Sequence, residues 1–268
     1  MLNRREFLKN SLKAAGGMAL AGNLLAQPYR SAAQDDLEKF DFLFTRIRFE
    51  SDQRVSAPWN TYPTAERYLL EEFSKVVRCK TKPVPNTNGP YPLVGMDEQF
   101  NAVVNLDSVE TLRPYPFLFM TSEGYYTFND RQKRALKGYL EQGGFLLMDD
   151  CCWQGAADYF YQSSFKLLQE LFGPNGVRLI PSEHEVFHNV FDLGAVGLPW
   201  LQGQNRGAQG VILDNRLAVF LSSTDLHCGW VDRDNTWFGP RGNRPVGRHS
   251  YQHAIQMGIN LIMYSLSH

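Results

Sequence analysis

Two short apolar runs on either side of a capped helical pattern constrain the fold of this chain more than any other feature. The runs are residues 117–120 and 143–148, the second opening on two glycines. Between them, Asn129 stands three residues before Gln132, as in a capping box, and apolar residues recur at helical spacing over 135–140. Strand, helix, glycine stop and strand are typical of a parallel βαβ unit. The chain is therefore predicted to form an α/β fold around these two buried strands.

Other segments extend this pattern. Strands are predicted over residues 40–49, 79–84 and 177–180, and a hairpin over 211–221 that turns at Asp214-Asn215. Helices are predicted to begin at Pro63, with an apolar face through Val76 and Val77, and at a cap formed by Ser163 or Ser164. A final helix carries Gly258, whose small size would let it lie close to the sheet.

The N-terminus carries a twin-arginine export pattern, with Arg4, Arg5, Phe7, Leu8 and Lys9 all in their expected places. The apolar stretch that follows is too short and too weakly hydrophobic to span a bilayer. Residues 1–33 are therefore predicted to be an export signal and linker that engages the twin-arginine export machinery. The expected location is the periplasm or another exported compartment.

The remaining chain, residues 34–268, is long enough for one core and is predicted to be a single domain without a further transmembrane segment. A formal net charge of -1 gives no reason to expect nucleic acid as a partner.

Four cysteines are too few for a disulfide scaffold, and no metal-finger spacing or cofactor motif occurs, so no cofactor is predicted. A bridge from Cys151 or Cys152 to Cys228 stays open.

Several of these segments together resemble the bacterial domain-of-unknown-function family numbered 4159. The resemblance rests on residues 42–49, 115–121 and 143–150, on His184 before Val186-Phe187, and on 258–262. The family is similar to class I glutamine-amidotransferase-like folds. That similarity implies an open, mostly parallel, doubly wound sheet in a flavodoxin-like three-layer sandwich. It implies the fold and not glutaminase activity, because sites are grafted on folds.

Candidate catalytic residues follow the predicted strands. Asp149 and Asp150 end the central strand, and their side chains should point to opposite faces. His184 and Asp225 lie near other strand ends, so Asp150, His184, Asp225 and His227 together would suit a divalent metal or acid-base chemistry. The alternative for each residue is a capping or surface role.

Candidate ligand-binding residues are Arg46, Trp153, His227 and Trp230, which lie near predicted strand ends or in loops. An arginine would offset the burial of the neighbouring carboxylates, and the tryptophan rings could line a cleft for a sugar-like or peptide-like ligand. Core packing is the alternative for the tryptophans.

Glutaminase chemistry would require an exposed cysteine on a glycine-flanked turn. Cys151 and Cys152 are flanked instead by Asp150 and Trp153, and carboxylates raise a thiol pKa. We therefore expect an exported binding or scaffold module for a small molecule, a carbohydrate or a protein. The second hypothesis is a hydrolase, possibly metal-assisted, that uses the strand-end Asp and His residues.

Overall fold

Seven strands of the described chain form one sheet. The computed structural model describes residues 32–51, 58–84, 97–151, 158–230 and 248–268. The strands are β1 (Thr45–Arg48), β2 (Ala102–Asn105), β3 (Phe117–Ser122), β4 (Phe145–Asp150), β5 (Val177–Leu179), β6 (Gln209–Leu213) and β7 (Arg216–Ser222). The helices are α1 (Ala32–Lys39), α2 (Pro63–Val76), α3 (Val109–Leu112), α4 (Asp130–Glu141), α5 (Tyr159–Phe172), α6 (Leu226–Gly229) and α7 (Arg248–Ser267). Two 3₁₀ turns cover Asp97–Gln99 and Glu185–Phe187.

The sheet is mostly parallel, as predicted. Its strand order is β2-β1-β3-β4-β7-β6-β5. The first five of these are parallel neighbours, and β6 runs antiparallel to both β7 and β5. The order reverses direction at β1, since β2 lies on one side of it and β3 on the other. Loops that leave the carboxyl ends of β1 and β3 therefore diverge, and this topology opens a crevice.

Alternate residues of the central strands enter two different hydrophobic clusters. Phe145 and Leu147 of β4 pack with residues of α2 and α7. Leu146 and Met148 pack with residues of α4 and α5 on the other side. Both faces of the sheet are covered, which explains why β3 and β4 are apolar at every position before their last residues. Among the described residues, no helix is long and apolar enough to cross a membrane.

Local sequence signals account for several element boundaries. Asn129 and Gln132 form the predicted capping box at the start of α4, and Gly143 after this helix has a φ of 102°. Pro63 begins α2. The hairpin of β6 and β7 turns at Asp214 and Asn215, which both adopt positive φ. These predictions are confirmed.

Two predicted elements are wrong. Residues 79–84 do not form a strand and contribute only an isolated bridge between Phe42 and Thr81. The strand beside β1 is instead β2, whose four residues carry one buried side chain and so give little hydrophobic signal. Ser163 and Ser164 do not cap a helix, because α5 already begins at Tyr159 after Asp158.

Two finer predictions about helix faces also need correction. Val76 is not on the buried face of α2; its side chain is 49% exposed in the last turn. A Cβ atom on Gly258 would lie 2.8 Å from Leu69 Cδ1 and 3.0 Å from Trp230 Nε1. The close contact at this glycine is therefore with α2 and Trp230, while α7 also contacts β3 of the sheet.

Candidate functional site

The carboxyl end of β4 is joined to α6 through Asp149. Its carboxylate oxygens accept hydrogen bonds from the backbone N–H groups of Leu226, at 3.1 Å, and His227, at 2.8 Å. Asp225 precedes this short helix and accepts the N–H of Cys228 at 3.4 Å. Both acids are completely buried. The structure thus brings together two of the predicted catalytic residues, Asp149 and Asp225, around the first turn of α6.

Burial and mutual repulsion perturb this pair of carboxyls. Burial, followed by the charge of Asp225, raises the pKa of Asp149 to about 8, although the amide groups of α6 oppose the shift. Burial also raises the pKa of Asp225 to about 6 against its hydrogen bonds from Gln202 and Cys228. The two groups therefore hold fewer than two negative charges at neutral pH.

Asp150 lies on the opposite face of the sheet from Asp149, as strand alternation predicts. It is completely buried, and its carboxylate oxygens make no hydrogen bond with another side chain among the described residues. Burial, with the charge of Asp149, raises the pKa of Asp150 well above its usual value, and the backbone of Tyr161 only partly opposes this. Asp150 therefore favours its neutral form and is not part of the Asp149 and Asp225 pair.

His184 is not part of this site, so the predicted cluster of Asp150, His184, Asp225 and His227 does not form. Its ring packs on Tyr264, at 5.6 Å between centroids, and Tyr264 in turn packs on Phe145 at the start of β4. Six strand residues span about 16 Å, so His184 lies near the end of the sheet opposite Asp150. Its Nδ1 accepts the N–H of Val186, which is the capping role that was the alternative.

Arg46 and His227 belong to a buried polar network and not to an open binding surface. Arg46 forms an ion pair with Glu66, donates to the backbone carbonyl of Trp59 at 2.6 Å, and lies 2.9 Å from His227 Nε2. Burial, followed by the charge of Arg46, lowers the pKa of His227 well below its usual value, so the neutral ring accepts from the guanidinium. Burial raises the pKa of Glu66 to about 7 despite Arg46.

The two remaining predicted ligand-binding residues are tryptophans. Trp230 is fully buried, packs on Phe119 at 5.6 Å between ring centroids, and donates to the carbonyl of Ala254. It is a core residue, as the alternative held. Trp153 lies outside the described residues.

Two cysteines complete the buried cluster around α6. The Sγ atoms of Cys151 and Cys228 lie 3.9 Å apart, and a carboxylate oxygen of Asp225 lies within 4.8 Å of both. The contact with Cys228 lowers the pKa of Cys151, but burial and the nearby carboxylates outweigh it and raise the value to about 12. Neither thiol is exposed to solvent, and Cys151 favours its protonated form. An accessible nucleophile of the glutaminase type is therefore absent from these two positions.

A cleft of about 660 Å³ opens where the loops after β1, β2 and β3 diverge. Its walls are Arg48, Phe49, Glu50, Trp59, Asn105, Leu106, Asp107, Thr127, Phe128, Asn129, Arg131 and Gln132. This is the place where ligands bind in parallel sheets, outside the carboxyl ends of the strands at a reversal of strand order. The candidate binding site is this cleft, hereafter the β1–β2 cleft.

The β1–β2 cleft combines an aromatic face with balanced charges. The guanidinium of Arg48 lies 5.5 Å from the centre of the Trp59 ring and pairs with Asp97. Arg131 donates to the backbone carbonyl of Asp107 at 2.9 Å. Two arginines and two acids, Glu50 and Asp107, line the walls. Among the residues that the structure describes, the charges on the cleft walls therefore balance.

Sequence reasoning missed most of this cleft. Arg48 falls near the end of the strand predicted over residues 40–49, but β2 was not predicted as a strand, so Asn105 and Asp107 had no structural context. The available signal was Asn105 and Asp107, which follow the short apolar run 102–104 on either side of Leu106. Such a signal is weak, because loops after strands are commonly polar.

Comparison with known proteins gives one family. The model of the family described as "Domain of unknown function (DUF4159)" matches residues 44–266, and the chain belongs to this family. The resemblance that the sequence predicted is thereby confirmed at the level of the family. No curated protein matches the chain.

Proposed function

We propose that this member of the DUF4159 family is an exported binding module that holds a small, neutral, hydroxyl-rich ligand, such as a saccharide, in the β1–β2 cleft. The observation that carries the proposal is the position of this cleft at the reversal of strand order, beyond the carboxyl ends of β1, β2 and β3.

The composition of the cleft supports a saccharide-like ligand. Trp59 is half-buried and offers a planar apolar surface on which a sugar ring could stack. Asn105 supplies an amide group that both donates and accepts hydrogen bonds, and Gln132, whose oxygen caps α4, offers its NH₂ group as a donor. The balance of two arginines and two acids disfavours a ligand with a large net charge.

The buried network beneath the cleft supports pre-organisation of the aromatic wall. Arg46 holds the backbone carbonyl of Trp59 from below, and Trp59 packs on Phe100 at 5.8 Å between ring centroids. A side chain that is fixed before binding loses less conformational entropy when the ligand arrives. Arg46 thus supports ligand binding as a positioning residue, without touching the ligand.

The strand order supports the amidotransferase-like, flavodoxin-like fold as part of the same proposal. With β7 counted as the fifth parallel strand, the order β2-β1-β3-β4-β7 corresponds to the flavodoxin-like order 2-1-3-4-5. The antiparallel strands β6 and β5 extend this sheet at one edge. The burial of Cys151 and Cys228 argues against glutaminase activity, and the position of His184 argues against a hydrolase that uses it with Asp150 and Asp225.

Export by the twin-arginine route remains part of the proposal and rests on Arg4 and Arg5 with the residues that follow them. Replacement of both arginines by lysine should retain the full-length chain in the cytoplasm, as measured by fractionation. Export of the double variant at the wild-type level would contradict this part alone.

Isothermal titration of the purified protein with a panel of neutral and charged mono- and oligosaccharides tests the binding site. We expect at least one neutral saccharide to bind. Trp59→Ala should weaken its affinity at least tenfold, since the stacking of the sugar ring on the indole and the area buried by it are lost together. Trp200→Ala is the matched control, because Trp200 is 55% exposed and does not line the cleft. Equal affinity of both variants and the wild type, or binding of charged ligands only, would overturn the proposal.

A further inference from the structure

Three potential metal ligands converge at the carboxyl ends of β4 and β7. Cys151 directly follows β4, Asp225 precedes α6, and Cys228 lies within α6. One ligand atom from each lies within 4.8 Å of the other two. We propose that Cys151, Asp225 and Cys228 bind one Zn²⁺ ion that fastens α6 to the end of the central strand. This site is separate from the β1–β2 cleft and does not depend on the function proposed for it.

The separation of the sulfur atoms fits a shared metal. Zinc binds thiolate sulfur at about 2.3 Å with tetrahedral angles, which places two coordinated sulfurs about 3.8 Å apart. The Sγ atoms of Cys151 and Cys228 lie 3.9 Å apart. A disulfide would require a separation of about 2.05 Å. The observed spacing therefore suits two thiolates on one zinc ion without movement of the backbone.

The local backbone directs the third ligand to the same point. Asp225 adopts a left-handed conformation with a φ of 59°, which is uncommon for a residue other than glycine. The N–H of Cys228, three residues later, donates to its carboxylate. Residues three apart on a helical turn lie on one face, so the carboxylate of Asp225 and the thiol of Cys228 approach each other. The turn after β7 thus presents two ligands towards Cys151.

The charge balance of the surroundings favours a cation. A carboxylate oxygen of Asp225 lies within 4.8 Å of both sulfur atoms, and Asp149 accepts the N–H groups of the two residues before Cys228. Both acids are completely buried, and the buried Arg46 is already paired with Glu66. A dication would stabilise the deprotonated ligands in this buried position, where an uncompensated negative charge is costly.

The donor set selects the metal. Thiolates favour zinc over magnesium or calcium, which prefer oxygen ligands, and zinc also accepts a carboxylate. Asp225 would bind the ion with the lone pairs that its hydrogen bonds from Gln202 and Cys228 leave available, and the fourth position falls to water or another group. Because Cys151, Asp225 and Cys228 are each at most 2% exposed, the ion would have a structural role. If the chain is exported already folded, the zinc ion would bind before export, in the cytoplasm, where thiols are kept reduced.

Metal analysis of the full chain, purified without chelators or added metal, tests the site directly. We expect about one zinc ion per chain by elemental mass spectrometry. Replacement of this zinc by Co²⁺ should give a thiolate-to-cobalt charge-transfer band in the near ultraviolet. The cobalt spectrum is measured on the wild type, so it decides the question even if variants fail to fold.

Two variants and one control locate the ligands. Cys151→Ser removes one thiolate, and Asp225→Asn removes the carboxylate with little change in shape. Each should lower the zinc content at least tenfold and abolish or weaken the cobalt band. Cys79→Ser is the control, because Cys79 is a half-buried cysteine outside this cluster and should leave the zinc content unchanged.

Three results would overturn the proposal. The first is a folded wild type that neither contains zinc nor gives the cobalt band. The second is a disulfide between Cys151 and Cys228, shown by intact mass and peptide mapping, in protein without metal. The third is full zinc content in folded Cys151→Ser and Asp225→Asn.

Discussion

Arg46 lies inside the protein, yet it donates a hydrogen bond at 2.6 Å to the backbone carbonyl of Trp59, which lines the β1–β2 cleft. The same guanidinium forms an ion pair with Glu66, and both side chains are at most 1% exposed. The central polar network and the candidate binding surface are therefore coupled through one side chain. Changes to the network should alter both stability and the position of Trp59.

Removal of one member of the Arg46 and Glu66 pair should be strongly destabilising. Arg46→Met leaves the Glu66 carboxyl buried without its partner, and breaking a buried pair in this way costs about 3–5 kcal/mol. The double variant Arg46→Met with Glu66→Met should recover most of that loss, because no charge remains buried. Urea unfolding of the two single variants and the double variant gives the coupling energy. Additive losses would contradict a direct interaction.

Asp149 should contribute to stability through the two backbone N–H groups that it accepts. Asp149→Ala leaves the N–H groups of Leu226 and His227 buried without an acceptor, at a cost of about 1–3 kcal/mol each. Asp149→Asn keeps one acceptor oxygen and should lose less. Chemical unfolding of both variants measures the difference. The exposed Asp192→Ala serves as a control, and an equal loss in all three would contradict the role of Asp149.

The central fold was predictable because its signals are local and strong. The strands β3 and β4 are apolar at successive positions, and Asn129 with Gln132 marks the start of the helix between them. The β6–β7 hairpin was predicted for the same reason, since Asp214 and Asn215 stand between two apolar runs. In each case the residues that determine an element lie within that element.

The elements and site contacts that were missed or predicted wrongly depend on contacts between segments that are distant in the sequence. The strand β2 is held by pairing with β1, and Val104 is its one buried residue, so its own sequence carries little signal. His184 follows β5, but the chain then turns back towards Tyr264, which no local pattern indicates. Asp149 and Asp225 were predicted as site residues, yet their approach around α6 across 76 positions could be seen only in the structure.

The turn of the β6–β7 hairpin offers a stabilising substitution. Asn215 adopts a φ of 62°, which glycine reaches without steric cost. Asn215→Gly should stabilise the protein by about 0.5 kcal/mol, whereas Asn215→Val should destabilise it by about 1–2 kcal/mol. Asn205→Gly should have the opposite sign to Asn215→Gly, because Asn205 lacks a positive φ and its side chain accepts the N–H of Gly207. Thermal unfolding of the three variants checks both signs.

Close packing of α7 predicts a cost for a single added methyl group. In Gly258→Ala, the new Cβ would lie 2.8 Å from Leu69 Cδ1 and 3.0 Å from Trp230 Nε1. The required shift should destabilise the protein by about 1–3 kcal/mol, since inserted methylenes strain a packed core. Ser267→Ala near the exposed end of the same helix should change the free energy of unfolding by less than about 0.5 kcal/mol. Equal effects would show that the helix can move away from Leu69.

Glu66 predicts a specific dependence of stability on pH. Burial raises its pKa in the folded state from 4.5 to about 7, so the folded protein binds a proton here that the unfolded chain releases. This contribution is fully present below pH 4.5 and is lost as the pH rises towards 7, at about 1.4 kcal/mol per pH unit. Other buried carboxyls act in the same direction, so the comparison must be made with Glu66→Gln. Between pH 4.5 and 7, the unfolding free energy of the wild type should fall more steeply with pH than that of the variant. The difference between the two slopes should be about 1.4 kcal/mol per pH unit, which corresponds to one bound proton. Parallel pH profiles would show that Arg46 keeps Glu66 ionised and that the pKa is not raised.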